Sequence, residues 1–397
     1  MKNDADPIVV VGMSRTPIGA FQGKLKKIPA PELGSFAISA ALKQSNVPKE
    51  DIDEVFMGCV LSAGIGQAPA RQASIGAGIP DSTGCTTINK MCGSGMKTVM
   101  LAHDLLLSKS NSIIIAGGFE SMSNSPYILP KARSGQRLGH GQMIDHMFLD
   151  GLEDAYNKGT LMGVFAERTA KRYGFSRNLQ DEFAIRSLNR AKKAIEDGSF
   201  KNEITSVNYI SRGEDIKVSI DEQPLIANLD KISKLKPAFE KNGTVTAANS
   251  SSISDGAAAL VMMRESNARK LKIRPIARFV QHSSFAQSPE WFTTAPVYAI
   301  RGILKNIGWD VKEVDLFEIN EAFAVVSMAA MKDLELSPEK VNVHGGACAL
   351  GHPIGASGAR ILVTLISALK KYKKSRGVAC LCIGGGEAIA MAVEILN

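Results

Sequence analysis

The sequence predicts an α/β fold made of two similar halves related by a pseudo-twofold axis, with a loop domain inserted in the chain between them. Three observations predict it. Short β-branched runs such as Ile8-Val9-Val10-Val11 and Ile113-Ile114-Ile115 alternate with longer helical patterns such as residues 96–107, the rhythm of strands covered by helices on both faces. The run CGSGMKTVMLAHDLLL followed by SIIIAGGFESM is echoed late in the chain by IGASGARILVTLISALKK followed by VACLCIGGGEAIAM. Between these copies the chain changes character, from Pro126 to about Thr244.

Each copy of the echo reads as a small-residue turn, a helix, a buried strand and a glycine cluster. Two like α/β units packed together produce such a repeat, and their corresponding turns then meet at one site. Length agrees with more than one packed unit: 397 residues, 45% of them hydrophobic and 22% charged, exceed the roughly 250–300 residues at which a single core stops growing. The expected division is residues 1–125 with 244–272 as the N-terminal half, 126–243 as the inserted loop domain and 273–397 as the C-terminal half. Within the insert, Lys131 to Gln142 is glycine-rich and charged, and Gln180 to Asp197 has a helical pattern. Such an excursion covers a ligand or mediates subunit contact, and both readings stand.

Bulk properties exclude several classes of function. A net charge of +8 suits a polyanion, but the densest basic run, Lys370 to Arg376, has no interleaved stacking aromatics and reads as a solvated helix end, so no nucleic-acid partner is expected. No apolar stretch reaches the roughly 18 residues of a spanning helix, so no membrane partner is expected. The six cysteines, Cys59, Cys85, Cys92, Cys348, Cys380 and Cys382, are too sparse and irregular for a disulfide scaffold, which fits a reducing compartment, read as cytoplasmic, although a mature organelle-matrix form would look the same. The N-terminal MKNDADPIVVVG lacks the pattern of a secretory signal. With no zinc-finger spacing and six scattered histidines, no metal site is expected.

Candidate chemistry sits in the turns. Asn89-Lys90-Met91-Cys92-Gly93-Ser94-Gly95 puts a cysteine at a tight turn before a helix; a helix N-terminus lowers a thiol pKa, and the Cys92 amide can face an oxyanion. The alternative is a small buried hydrophobe. In the second copy, Gly351-His352-Pro353-Ile354-Gly355 holds a histidine at the matching position, where it could face Cys92 and shuttle its proton, or simply be solvated. Cys380-Leu381-Cys382-Ile383-Gly384-Gly385-Gly386 ends a buried strand in free amides suited to a second oxyanion hole. Cys382, nearer the glycines, should reach the site, and Cys380 should pack. In Phe317 to Ala324, Asn320 could hold a water or donate to an oxyanion, or cap a helix.

NKMCGSG, NEAFA, GHPIGASG and CIGGG occur in that order and resemble the four signature blocks of the thiolase superfamily. Earlier blocks also match: Ser14 to Phe21, Gly66 to Gln72 and Gly117 to Asn124. The resemblance covers essentially the whole chain and is nearest to the acetyl-CoA acetyltransferase members. It implies a layered α-β-α-β-α fold with an inserted loop domain, usually a homotetramer or dimer. The implied reaction is the reversible Claisen condensation of two acetyl-CoA to acetoacetyl-CoA and free CoA, with the CoA thioester as substrate and no separate cofactor.

By the same resemblance, Cys92 accepts the acyl group, Cys382 moves the α-proton, and His352 activates Cys92. His352 with a water on Asn320 makes one oxyanion hole; the amides of Cys92 and Gly384 make the other. Ser251 is implied to meet the pantetheine arm and Phe239 the nucleotide end, with Ala322 and Phe323 of the NEAFA block along the substrate path. Pro224 and Lys231 stand where bacterial members carry an arginine and a serine near the nucleotide, and Lys231 can serve as a phosphate ligand. Leu161-Met162-Gly163 replaces a usual His-Met-Gly, keeping Met162 to close the acyl pocket. Phe292 stands where several bacterial members have methionine, as in mitochondrial acetoacetyl-CoA thiolases that also take 2-methyl-branched substrates. A broader 3-ketoacyl-CoA thiolase of fatty-acid breakdown is the second enzyme reading. A non-catalytic acyl-CoA or lipid carrier is the reading from another class, and it gives no reason for Cys92, Asn320, His352 and Cys382 to occur together.

Overall fold

A computed structural model describes residues 6–396; the extreme ends of the two expected halves, 1–5 and 397, lie outside the described residues. In the first half, the strands Ile8–Arg15, Ser254–Arg264, Ile113–Ser121, Glu54–Gly58 and Gly84–Ile88 lie side by side in that order. The second half repeats the arrangement with Ala277–Ala286, Glu387–Ile395, Arg376–Ile383 and Leu316–Ile319. In each half the first two junctions are antiparallel and the next is parallel. The fifth strand of the second half is reduced to a parallel bridge between Phe317 and Val341. The halves join through the pairs Val9–Arg278 and Val10–Ala277, giving one hydrogen-bonded sheet of 10 strands, the tenth being the short Gly19–Ala20 paired with Ser254–Arg264.

The echoed helices, Ser94–Leu107 and Ile354–Lys371, pack on each other and on strands from both halves. Every residue from Ile354 to Leu369 is buried, as expected of a helix apolar on all sides. Ala30–Ser45 and Pro69–Gly76 cover the outer side of the first half, and Ala295–Ile307 and Ala324–Asp333 that of the second. The layering is therefore α-β-α-β-α. Three cores follow from it: Met96, Val99, Leu362 and Leu381 in the middle, Leu33, Ile38 and Phe119 on one side, and Ile300, Ile303 and Phe317 on the other. Each such side chain contributes about 1.5–3 kcal/mol by leaving water.

The small residues of the echoed turns are packing surfaces as well as site elements. A Cβ on Gly118 would stand 2.0 Å from the carbonyl oxygen of Gly355, and one on Gly95 2.9 Å from the same atom. Only glycine lets the two central helix N-termini approach each other and the strand Ile113–Ser121 so closely.

Residues leaving the sheet after Ser121 include the helices Met162–Tyr173 and Arg177–Glu196 and the hairpin strands Val207–Ser211 and Glu214–Val218. Ser176 starts the second of these helices, its side chain accepting from the Leu179 amide. Buried Arg15 ties this excursion to the sheet, donating to Glu203 at 2.6 Å and to Asp221 at 2.7 and 2.9 Å. Removing either carboxylate would break a buried ion pair, at about 3–5 kcal/mol. The basic run after the second central helix is solvated, with Lys371 paired to Asp197 at 2.7 Å.

Candidate active site

Cys92 sits on a sharp strand-to-helix turn. Beyond Gly84–Ile88, the Asn89 side chain accepts from the Met91 amide at 2.9 Å, Gly93 donates to the Lys90 carbonyl at 3.0 Å, and Ser94 donates to the Met91 carbonyl at 2.9 Å. These bonds hold Met91 in the left-handed region at φ 48°, a conformation costly for a side chain of its kind and found where surrounding structure over-determines it. The turn throws Cys92 forward, one residue before Gly93 caps the helix. A Cβ on Gly93 would meet the tip of the Ile383 side chain at 2.5 Å, so any other residue here requires that side chain to move.

The protonation state differs from the sequence expectation. Burial pushes the Cys92 thiol up to about 11, although hydrogen bonds from the amides of Gly384 and of Cys92 itself pull the other way. Desolvation outweighs the helix N-terminus, so the resting sulfur is a thiol and not the thiolate that the turn alone suggests. His352 moves in the complementary direction, down to about 3, through burial and then the positive Arg360. The imidazole is therefore neutral at pH 7.

The tautomer of His352 follows from its neighbours. Ser357 has a single hydroxyl proton, donated to the Pro353 carbonyl at 2.9 Å, so its oxygen accepts from His352 Nδ1–H at 2.5 Å. The lone pair then lies on Nε2, which faces Asn320 Nδ2 at 3.5 Å. Asn320 is buried and its Oδ1 has no hydrogen-bond partner among the described residues, leaving an acceptor for a water or ligand. It does not cap a helix: Ala324–Asp333 begins four residues later, with Phe323 at the cap. Gly351 adopts φ 109°, where any Cβ would strike Ser254, and the His352 amide donates to the Ser252 carbonyl at 3.0 Å.

Cys92, His352 and Gly384 line one cavity of about 400 Å³, together with Leu161, Met162, Phe239, Ser251, Phe292, Ala322 and Phe323. Phe323 packs edge-on against Phe239 at 5.9 Å and against Phe292 at 6.5 Å, forming an aromatic wall. Met162 closes on Gly384, whose Cβ would lie 3.6 Å from its sulfur. Leu161 ends its strand-like approach as the cap of Met162–Tyr173. Ser251 is held by its amide on the Ala322 carbonyl at 3.0 Å, which joins the serine run to NEAFA. Cys382 is fully buried beneath this wall among Phe292, Ala322 and Phe323, its thiol held well above the ordinary range by burial and by the nearby Cys92. Cys380 packs in the outer core of the second half. Lys231 is exposed on Leu229–Ile232 and does not line the cavity.

Two contributors escape sequence reasoning. Ser357 lies one helical turn beyond His352 in GASGAR, a run that reads as small-residue packing. Glu120 is a fully buried carboxylate in a strand, accepting from the amides of Val60, Leu61 and Gly355 at 3.0, 3.1 and 2.9 Å. It anchors the His352 turn to the first half. Burial raises its pKa to about 7 against the pull of those three amides. An acid within the buried run IIIAGGFES was the available signal.

The family descriptions "Thiolase, N-terminal domain" and "Thiolase, C-terminal domain" match residues 8–266 and 273–395. Acetyl-CoA acetyltransferase 2 of Arabidopsis thaliana is 48% identical over 98% of this chain and 97% of that protein. The mitochondrial acetyl-CoA acetyltransferase of Homo sapiens is 47% identical over 98% of this chain and 90% of that protein. Among solved structures, the Acat5 thiolase of Ascaris suum in complex with coenzyme A superposes with a TM-score of 0.93 at 41% identity, covering 98% of this chain and 100% of that one. Two matched halves with their turns meeting at Cys92, and likeness over nearly the full length, place this chain in the thiolase family.

Proposed function

We propose that this thiolase is an acetyl-CoA C-acetyltransferase, condensing two acetyl-CoA to acetoacetyl-CoA plus free CoA and running the reverse thiolysis. The observation that carries the reading is the meeting of Cys92, the Nε2 lone pair of His352 and the Gly384 amide around one largely apolar pocket. As the thioester carbonyl settles against the amides of Cys92 and Gly384, the Cys92 proton passes to His352 Nε2 and sulfur attacks the carbonyl carbon. The tetrahedral intermediate collapses, the C–S bond to coenzyme A breaks, and the departing thiolate takes the Cys382 proton, leaving Cys382 as a thiolate. Cys382 then removes an α-proton from a second acetyl-CoA, and the enolate is held by protonated His352 and a water on Asn320. Its carbon attacks acetyl-Cys92, the new C–C bond forms, and the departing Cys92 sulfur takes its proton back from His352.

Coenzyme A enters as substrate and no separate cofactor takes part. Ser251 and Phe239 support the pantetheine and nucleotide ends, and Lys231 meets a phosphate beyond the cavity. Met162, Phe292 and Phe323 close the acyl end, favouring four-carbon and 2-methyl-branched 3-ketoacyl-CoA. Leu161 is the observation on the other side: its apolar side chain in the cavity suits the broader 3-ketoacyl-CoA thiolase of fatty-acid metabolism. A chain-length series in the thiolysis direction separates the two. Each fitted methylene adds about 0.8 kcal/mol of binding, so a kcat/KM rising steadily from four to ten carbons overturns the short-chain reading, and a fall beyond four supports it.

The same proposal includes a cytoplasmic homotetramer or dimer, divided as 1–125 with 244–272, 126–243 and 273–397. Among the described residues no helix is long and apolar enough to cross a membrane.

A further inference from the structure

We propose that His103, Asp104 and His282 form a binding site for a divalent transition-metal ion of the zinc class, clamping the central helix of the first half to the strand Ala277–Ala286 of the second. Asp104 and His282 are 178 positions apart, which is why the histidines look scattered along the chain. The fold brings the donor atoms of all three residues within 4.8 Å of one another. Asp104 Oδ1 lies 3.2 Å from His103 Nδ1 and 2.8 Å from His282 Nε2. Bonds of about 2.0–2.2 Å place tetrahedral zinc ligands roughly 3.3–3.5 Å from one another, so small side-chain rotations complete the set.

Three further features suit an ion. The imidazole rings are nearly perpendicular, at 86° with centroids 5.4 Å apart, so they present separate vertices. Burial is graded: the His103 and His282 side chains are 5% and 17% exposed and that of Asp104 is 53% exposed. Packing thus fixes the rings while the carboxylate side stays open for entry and for bound water. Two imidazoles with one carboxylate select a borderline metal over calcium or magnesium, which take oxygen ligands. None of the three residues lines the catalytic cavity, so the ion's role is structural: it holds the helix that starts beside Cys92 against the opposite half. Without the ion, protons occupy the site, and both rings hydrogen-bond to Asp104.

Titration of the full chain with Co2+ tests the proposal. One Co2+ per chain should bind with visible d–d absorption, without thiolate charge-transfer bands, and be displaced by Zn2+. Asp104→Asn, at the most exposed of the three positions, and His282→Gln should each lose those bands. Zn2+ should raise the melting temperature of the parent but not of either variant. The proposal fails if no saturable Co2+ binds, if both variants bind as the parent does, or if charge-transfer bands place the ion on cysteines.

Discussion

Alkylation of Cys92 by iodoacetamide should keep accelerating with pH well past neutrality. Its thiol stands at about 11, against 9.0 for an ordinary cysteine, because burial outweighs the two amides that face the sulfur. A displacement of two units disfavours the thiolate by about 2.7 kcal/mol. At pH 8 the thiolate fraction is then about one in a thousand, where an ordinary thiol has about one in ten, so modification runs about 100-fold slower than for an unperturbed cysteine of equal access. The assay is inactivation of the substrate-free enzyme from pH 7 to 10, with the modified peptide mapped at each pH. The logarithm of the rate should climb by nearly one decade per pH unit across the range. A plateau below pH 8 would refute the reasoning, because it would mean that the turn and His352 hold a resting thiolate after all.

Other expectations follow from the same geometry. Ser357→Ala leaves His352 Nδ1–H buried without an acceptor, at about 1–3 kcal/mol, so kcat should fall roughly 5- to 150-fold with KM little changed; unchanged kcat in a folded variant contradicts the tautomer assignment. Phe292→Ala should open the acyl end and raise the ratio of six- to four-carbon kcat/KM at a stability cost of about 3–5 kcal/mol; an unmoved ratio places Phe292 outside the acyl pocket. His344 is depressed to about 4 by burial, with Lys371 adding to it, so the folded state binds fewer protons than the unfolded one below its ordinary 6.5 and stability falls as pH drops from 6.5 toward 4. His344→Phe keeps the ring between Phe200 and Tyr372 and should remove up to about 3 kcal/mol of that fall. Parallel melting curves for parent and variant across pH 4–7 would show the site to be inert.

Much of this was legible in the sequence because it depends on local pattern. The β-branched runs became the buried strands Ile8–Arg15 and Ile113–Ser121, and the echoed runs became the two central helices. Their turns meet, so Cys92 and His352 share a cavity. The charge state of that cavity was not legible, because the desolvation of Cys92 is set by residues from distant segments, Val60, Met147 and Ile354 among those it packs against. A helix N-terminus can be read from local residues; the water it loses to packing cannot. The same reason hides Ser357, whose hydroxyl matters only once Pro353 fixes its proton, and Glu120, whose partners lie on two separate turns, at Val60-Leu61 and at Gly355.

The division of labour between the two site cysteines is the centre of the account, and trapping the covalent intermediate tests it most directly. Radiolabelled acetyl-CoA is mixed with the enzyme, quenched in acid and digested, for the parent, Cys92→Ser and Cys382→Ser, with a melting curve for each. Label should appear on the Cys92 peptide of the parent and of Cys382→Ser, whose condensation rate should nevertheless drop by about 10²–10⁴-fold for want of its acid/base. Cys92→Ser should carry almost none. Label on the Cys382 peptide in the Cys92→Ser enzyme, or normal condensation by Cys382→Ser, would contradict the account.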